Sequence, residues 1–343
     1  MQLISSDQQL LNDFVSRQLP NWEKHVQTHL PDADLKKLTD TYTELDVQSY
    51  VQLKYEQLYK FEISENIFEQ PVTDNPRDID KLMIFRVAHF NNYGHILHDY
   101  LPMLLYIDTH CSADVIVSVC SPNIKSLIKT LGIKLKKTVF LHPGDQIEYR
   151  VRSINVFDNK AYRVHRLSQR FKKMIDNHMD DAYPTDNCNS LIYCTRNTST
   201  DVRHGRLMDQ QNEDEIISLL EQYTKTKNMD FVIFNGQVDG KTMGHVEQLK
   251  LFREAKIVVG PHGSAMVNIL YLNPKNKPVV CEFTSGPNNI IHGHGRYAKN
   301  YNSLFAHCFE TIYDYYLIPF DLKSTTQITS VELDDIKQFL QVI

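Results

Sequence analysis

The stretch Ile257-Val258-Val259-Gly260-Pro261-His262-Gly263-Ser264-Ala265-Met266-Val267-Asn268-Ile269-Leu270 decides how this chain folds. Three consecutive β-branched residues read as a buried strand. Two glycines and a proline break it, and the apolar run from Ala265 reads as a helix entered straight from the turn. A strand passing into a helix through a glycine turn is the unit of a parallel α/β sheet. Ligands of such sheets collect at the C-terminal strand ends, where helix N-termini point. Gly260 and Gly263 let the backbone turn sharply and approach a ligand with no Cβ in the way. The first N–H groups of the helix and its dipole suit an anion. Ser264 can cap the helix or donate from its hydroxyl, and His262 can donate to a phosphate oxygen. The plain alternative is a βα connection with a structural histidine. The turn is neither a dinucleotide fingerprint nor a Walker loop, because the third glycine and the Lys-Ser/Thr pair are missing.

Other segments repeat the alternation. Upstream, Leu82-Met83-Ile84-Phe85, Val115-Ile116-Val117-Ser118-Val119 and Ile154-Asn155-Val156-Phe157 read as strands. Helix-like segments run from Gly94 to Ile107 and from Pro122 to about Gly132. Downstream, Leu191-Ile192-Tyr193-Cys194, Phe231-Val232-Ile233-Phe234, Ile257-Val258-Val259 and Pro278-Val279-Val280-Cys281 are strands. The helices between them run from Glu213 to Tyr223 and from Val246 to Ala255, with another after Gly263. The turn formers from Asp180 to Asn187 read as a linker. The expected organisation is an N-terminal helical extension (1–80), an α/β domain (81–182), a second α/β domain (188–320) and a C-terminal helix (321–343).

Composition narrows the function. At 343 residues the chain suits two domains. A net charge of −5 without a basic cluster argues against a nucleic-acid partner. No run approaches the roughly 18 apolar residues of a membrane span, and the first residues do not resemble a signal peptide. The six cysteines form no C-x-x-C pair, so they are expected to pack as small hydrophobes rather than hold zinc. The sequon Asn197-Thr198-Ser199 falls in a loop beside the expected site, which favours a compartment where it is not glycosylated.

Two features accompany the turn. Tyr193-Cys194-Thr195-Arg196 puts an arginine immediately after a strand, with Arg203 and Arg206 beyond it. A guanidinium fork suits the charge that develops on a diphosphate leaving group. Glu282 ends the strand after the turn, where a carboxylate can hold ribose hydroxyls or cap. Asp78-Ile79-Asp80 is a formal D-x-D, but it precedes its strand and reads as a solvated turn. His292-Gly293-His294-Gly295-Arg296 lacks matching metal ligands and reads as a loop near the substrates.

Three segments resemble glycosyltransferase family 61, the group with protein O-linked GlcNAc transferases and plant xylan transferases. The segment Phe252 to Asn268 is similar to its "A-x-h-h-h-G-x-H-G-A-x-h-x-N" signature, with Ser264 in place of the usual alanine. Leu191 to Arg196, followed by Asn212-Glu213-Asp214-Glu215, is similar to its arginine-bearing strand and "N-E" helix start. Asn92-Tyr93-Gly94-His95-Ile96-Leu97-His98-Asp99-Tyr100-Leu101-Pro102 resembles its "N-x-x-H-x-x-x-D-x-L-P" segment. The resemblance implies a GT-B-like fold, two Rossmann-like domains facing across a cleft, with inversion at the anomeric carbon. It further implies a UDP-sugar donor as co-substrate, a carbohydrate acceptor, and no metal or other cofactor. The sugar would be a pentose or an N-acetylhexosamine.

An inverting transferase needs one general base for the acceptor hydroxyl. His95, His98 and Asp99 are the candidates. At helical spacing His95 and Asp99 share a face, and an Asp–His pair keeps an imidazole basic and oriented. The donor side is expected to comprise Arg196, Arg203, Gly260, His262, Gly263, Ser264, Ala265 and Glu282. Without a membrane anchor, a cytoplasmic viral or microbial enzyme is expected. A lumenal Golgi or ER domain with its anchor removed is the alternative. Rival functions are a nucleotide-sugar epimerase or hydrolase and a catalytically silent nucleotide-sugar binder.

Overall fold

The structure is a computed structural model that describes residues 2–4, 43–55, 58, 77–87, 91–159, 165–184, 189–196, 207–285, 314–322 and 328–343. The chain is mixed α/β and divides into two compact units, one of residues 27–167 and one of residues 1–26 with 168–343. The strands in chain order are β1 (Gln2–Ile4), β2 (Thr43–Lys54), β3 (Arg77–Val87), β4 (Val115–Val119), β5 (Thr138–Leu141) and β6 (Gln146–Asn159). There follow β7 (Ser190–Cys194), β8 (Leu207–Met208), β9 (Asp230–Phe234), β10 (Gln237–Val238), β11 (Lys241–Thr242) and β12 (Ala255–Pro261). The last three are β13 (Val279–Ser285), β14 (Asp314–Leu322) and β15 (Ile328–Ser330).

The first unit holds a five-stranded sheet in the order β2-β6-β3-β4-β5, parallel except for the antiparallel edge pair β2–β6. Leu82, Met83, Ile84 and Phe85 are all fully buried. A strand covered on both faces reads as a continuous apolar run for this reason. Ser121 caps the helix Pro122–Thr130 by accepting from the Ile124 N–H at 3.2 Å, and Pro122 occupies its first position.

The second unit is built on β9-β7-β12-β13-β14, all parallel, extended by antiparallel β15 and then β8, with β1 antiparallel on β14. Its core joins Leu191, Val259, Phe283 and Ile318 from the sheet to Ile216 and Leu220 of the helix Gln210–Lys227. Ile336 and Phe339 of the helix Leu333–Val342 complete it. Asp209 caps the first of these helices, and Asn228 ends it in the left-handed conformation.

Several expectations change. Residues 43–54 are not part of a helical extension: they form β2 and pair with β6 over most of their length. Alternation in Leu45-Asp46-Val47-Gln48 is the period-two signal of a half-covered edge strand. The units divide between Leu167 and Ser168, inside the helix His165–Ala182, rather than in the turn-forming run from Asp180. Asp180 to Ala182 close that helix, and residues 185–188 lie outside the described residues. The segment after Gly263 is a six-residue 3-10 helix, Met266–Tyr271, and not an α-helix.

Cys111, Cys120, Cys194 and Cys281 are buried and unbridged, and burial pushes all four thiols up. They pack as the sequence implied. Among the described residues no helix is long and apolar enough to cross a membrane.

Gly260 sits in β12 where a Cβ would stand 2.6 Å from the Cys194 carbonyl oxygen and 2.8 Å from its Cβ. Both obstacles belong to the adjacent β7, so a methyl has to push two core strands apart. Gly260→Ala is expected to lose about 1–3 kcal/mol of stability, read as a lower midpoint in urea unfolding. An unchanged midpoint would show that the two strands yield freely.

Candidate functional site

Three parallel strands end side by side at one edge of the second unit. The β7 end leads to Thr195 and Arg196, the β12 end to His262 and Gly263, and β13 carries Glu282 opposite Gly260. All five residues of β7 are buried. The Tyr193 hydroxyl donates to Oε1 of Glu213 at 3.0 Å, and the Thr195 hydroxyl donates to the same oxygen at 2.8 Å. Glu213 is 1% exposed, so these donors replace the water it has lost. Burial, followed by the Glu213 charge, pushes the Tyr193 phenol up, so it remains a donor. The Thr195 N–H also bonds the Phe234 carbonyl at 3.0 Å. Thr195 is thus held on two sides, and Arg196 leaves the sheet in a fixed direction.

Arg196 folds onto the turn. Its Nη1 donates to the His262 carbonyl at 2.5 Å. A Cβ on Gly263 would lie 2.6 Å from the guanidinium carbon and 2.8–2.9 Å from two of its nitrogens. Neither Gly260 nor Gly263 has positive φ. The glycines are therefore required for space and not for a sharp turn: Gly260 admits β7, and Gly263 admits the guanidinium.

His262 is anchored at both ends. Its N–H donates to the Phe283 carbonyl at 2.8 Å, and its Nδ1 lies 2.5 Å from Oε1 of Glu282. The Glu282 side chain is 1% exposed and the histidine ring 15%. A carboxylate this deep, already engaged by the imidazole, is not placed to hold ribose hydroxyls, and that expectation is replaced by support of His262.

After Gly263 the backbone closes at once into three-residue bonds, Met266 N–H to Gly263, Val267 to Ser264 and Asn268 to Ala265. These N–H groups are satisfied internally, and six residues of 3-10 helix carry no long dipole. In the turn itself Ser264 is exposed and Ala265 partly buried. Asn268, the last polar residue of the signature, is 1% exposed, and its amide reaches Gln248 at 3.4 Å. Its role is in the core.

Beyond the 3-10 helix lies an ion cluster that sequence reasoning missed. Arg253 is fully buried, with Asp176 at 3.4 Å, Asp180 in contact, and the Tyr271 carbonyl at 3.5 Å. Lys172, 1% exposed, donates to Asp176 at 2.5 Å and to the Leu272 carbonyl at 3.0 Å. Lys275 pairs with Asp180 at 2.6 Å. The cluster ties the helix His165–Ala182 to the end of the segment that begins at Gly263. Charges buried so deeply occur when paired, and neither Arg253 nor Lys172 gives a signal in sequence beyond an unexpected charge on an apolar face.

The other candidates fall in the first unit. Asn92 caps the short helix Tyr93–His95 by accepting from the N–H groups of Gly94 and His95 at 3.0 and 3.4 Å. The chain then widens into a π-helical turn, Ile96–Tyr100, closed by the Leu101 N–H on the Ile96 carbonyl, and continues as the helix Leu101–His110. The expected α-helical register of His95 and Asp99 is thus shifted, because four residues fall short of a π turn. Tyr100 pins this turn from below. Its hydroxyl lies 2.8 Å from Ser118 Oγ and donates to the Val119 carbonyl at 3.0 Å, while Ser118 donates to the Phe85 carbonyl. His95 is half-buried, and the side chains of His98 and Asp99 lie outside the described residues. Arg203, the sequon at Asn197 and the His292–Arg296 segment also lie outside them.

Asp78 and Asp80 begin β3 instead of forming a turn, and pair with Arg150 and Arg152 of β6, each at 3.4 Å. These are exposed cross-strand pairs.

Arg196 is thus folded over a glycine-spaced strand edge, with its guanidinium on the His262 carbonyl and against Gly263. Comparison with known sequences gives that edge a family. The profile of the family Glycosyltransferase 61 matches residues 93–280, more than half of the chain. The chain belongs to glycosyltransferase family 61. That family is one of glycosyltransferases. No curated protein matches the chain. Among solved structures it is similar, at 12% identity and a TM-score of 0.35, to a dodecameric iron-containing heptosyltransferase, TibC, in complex with ADP-D-beta-D-heptose. The alignment covers 64% of this chain and 64% of that one.

Proposed function

We propose that the protein moves a sugar from a UDP-sugar to a hydroxyl of a glycan or glycoprotein, with inversion and without a metal. The observation that carries this reading is Arg196, bonded through Nη1 to the His262 carbonyl and lying against Gly263 at the sheet edge. In this reading the acceptor oxygen attacks the anomeric carbon as its proton passes to a base in the His95–Asp99 segment. The bond to the β-phosphate oxygen breaks, and its electron pair goes to the diphosphate. Arg196 and the turn from His262 to Ala265 neutralise that charge, the part a metal plays elsewhere.

A thermal-shift series with UDP, GDP and CMP sugars is the first test, and stabilisation by UDP sugars alone is expected. Stabilisation by GDP sugars alone, or by none, would reject the donor assignment. Turnover is expected to persist in EDTA, and its loss there would reject the metal-free route. UDP release should accelerate when the acceptor glycan is added, whereas an epimerase or hydrolase is indifferent to it. His95→Ala and Asp99→Asn should each lower turnover by about 10²–10⁴ with donor affinity nearly intact, since each removes a candidate for proton transfer and not for binding. Unchanged turnover in both removes this segment from the chemistry.

A further inference from the structure

Glu282 lies within β13 with its side chain 1% exposed, and one of its carboxylate oxygens is 2.5 Å from Nδ1 of His262. A carboxylate accepts and cannot donate, so Nδ1 carries the hydrogen and Nε2 is the position that gains or loses a proton. A negative charge in contact with a largely buried imidazole favours the imidazolium, because the pair is then neutral in a poorly hydrated place. Among the described residues, the charged groups facing the turn are few. From the end of β7 comes Arg196, which meets His262 at its carbonyl and not at its ring. From β13 comes Glu282 itself. Glu213, the other buried carboxylate near this edge, is occupied by Tyr193 and Thr195. Lys256 of β12 points its Nζ to the Asn276 carbonyl at the far end of the strand.

We propose that Glu282 is a positioning residue that holds His262 as an imidazolium when a diphosphate occupies the turn, so that donor binding takes up a proton. This rests on the turn being the diphosphate grip. During transfer the sugar–oxygen bond breaks and its electron pair stays with the β-phosphate. The added proton remains on His262 throughout and leaves when the nucleotide does. Arg196 is a permanent charge, whereas protonation of His262 removes the net negative charge of the His262–Glu282 pair from this edge.

Two measurements test it. In the ligand-free protein, the His262 imidazole is titrated by NMR, its signal assigned with His262→Asn. The isosteric Glu282→Gln is expected to lower its midpoint by about one pH unit or more, and Glu282→Asp to restore part of the shift. Calorimetry of UDP binding in buffers of different ionisation enthalpy then counts protons. Wild type should take up a fraction of a proton near neutral pH, and Glu282→Gln should take up none and bind about tenfold more weakly. An unchanged midpoint or unchanged proton uptake in Glu282→Gln overturns the proposal while leaving the transferase reading in place. If UDP does not bind wild type, the donor reading is what fails, and the ligand-free titration alone decides the role of Glu282. Should Glu282→Gln fail to fold, His262→Asn serves the same end: proton uptake that survives in it overturns the proposal.

Discussion

Arg253→Ala is expected to destabilise the protein by about 3–5 kcal/mol, because it breaks a buried charge cluster by removing one member. Asp176 then keeps only Lys172 at 2.5 Å, and Asp180 keeps only the exposed Lys275. Burial already holds the Asp176 carboxyl above its ordinary value, against the pull of Lys172 and then Arg253. Removing Arg253 raises it further. A carboxyl raised in the folded state binds its proton more readily there than in the unfolded chain. Its stabilising contribution is therefore full below the unfolded value near 3.8 and is lost as pH rises through the folded value. The deficit of the variant relative to wild type should accordingly shrink as pH falls toward 4 and be largest near neutrality. Urea unfolding at several pH values measures it, and a deficit that does not vary with pH would show that Asp176 is not the group left exposed. Arg253→Met restores the packing volume without the charge and is expected to recover part of the loss, since buried pairs are often replaceable by apolar groups of their own size.

Arg196→Ala is expected to lower turnover by about 10²–10³ while leaving the unfolding midpoint nearly unchanged. In the proposed reading the guanidinium on the turn meets the diphosphate, and losing that charge-assisted contact is expected to weaken UDP binding by roughly 1.5–3 kcal/mol. Gly263→Ala provides the sharper comparison. The atoms its Cβ would meet belong to the far end of the Arg196 side chain, at 2.6–2.9 Å, and a flexible side chain can swing aside at little loss of stability. The variant should therefore fold normally and still lose a large part of the Arg196 effect. Combining the two substitutions should add little to Arg196→Ala alone, because both act on one guanidinium. Additive losses would mean that Gly263 serves the ligand directly. The contrast with Gly260→Ala is then complete. One glycine makes room for a strand and its replacement is felt in folding, while its neighbour makes room for a side chain and is felt in binding.

That distinction shows where sequence reading reaches and where it stops. The buried strands were legible because parallel strands covered on both faces are continuous apolar runs, and Val115–Val119 begins and ends where expected. The edge strand β2 was missed because its alternation is confined to a few residues of a long, polar N-terminal stretch, although Leu45-Asp46-Val47-Gln48 carries the period-two signal. The importance of Gly260 and Gly263 was visible, but its cause was not. What a Cβ would strike depends on Cys194 and Arg196, which are 66 and 67 positions away in the chain. The π turn at Ile96–Tyr100 leaves no composition signal, since it is set by what Tyr100 reaches below it. Glu213 and Arg253 lay inside quoted motifs. Their function as buried anchors for Thr195 and for the end of the 3-10 helix becomes evident only from the partners that desolvate them.

The clasp on the helix Gln210–Lys227 has a consequence for how the protein is made. Asn212 bonds both the carbonyl and the N–H of Val331, at 2.9 and 2.8 Å, and β8 pairs with β15. The helix bearing Glu213 is thus locked by residues more than a hundred positions later. The five-stranded sheet of the first unit, in contrast, is formed wholly within residues 43–159. On a ribosome, that sheet can close while the remainder is still being translated. The other must wait for β15 and Val331, and its distant pairings make it the slower of the two to form. A chain cut before β15 would carry a finished first sheet and a second in which the helix Gln210–Lys227 lacked its bonds to Val331.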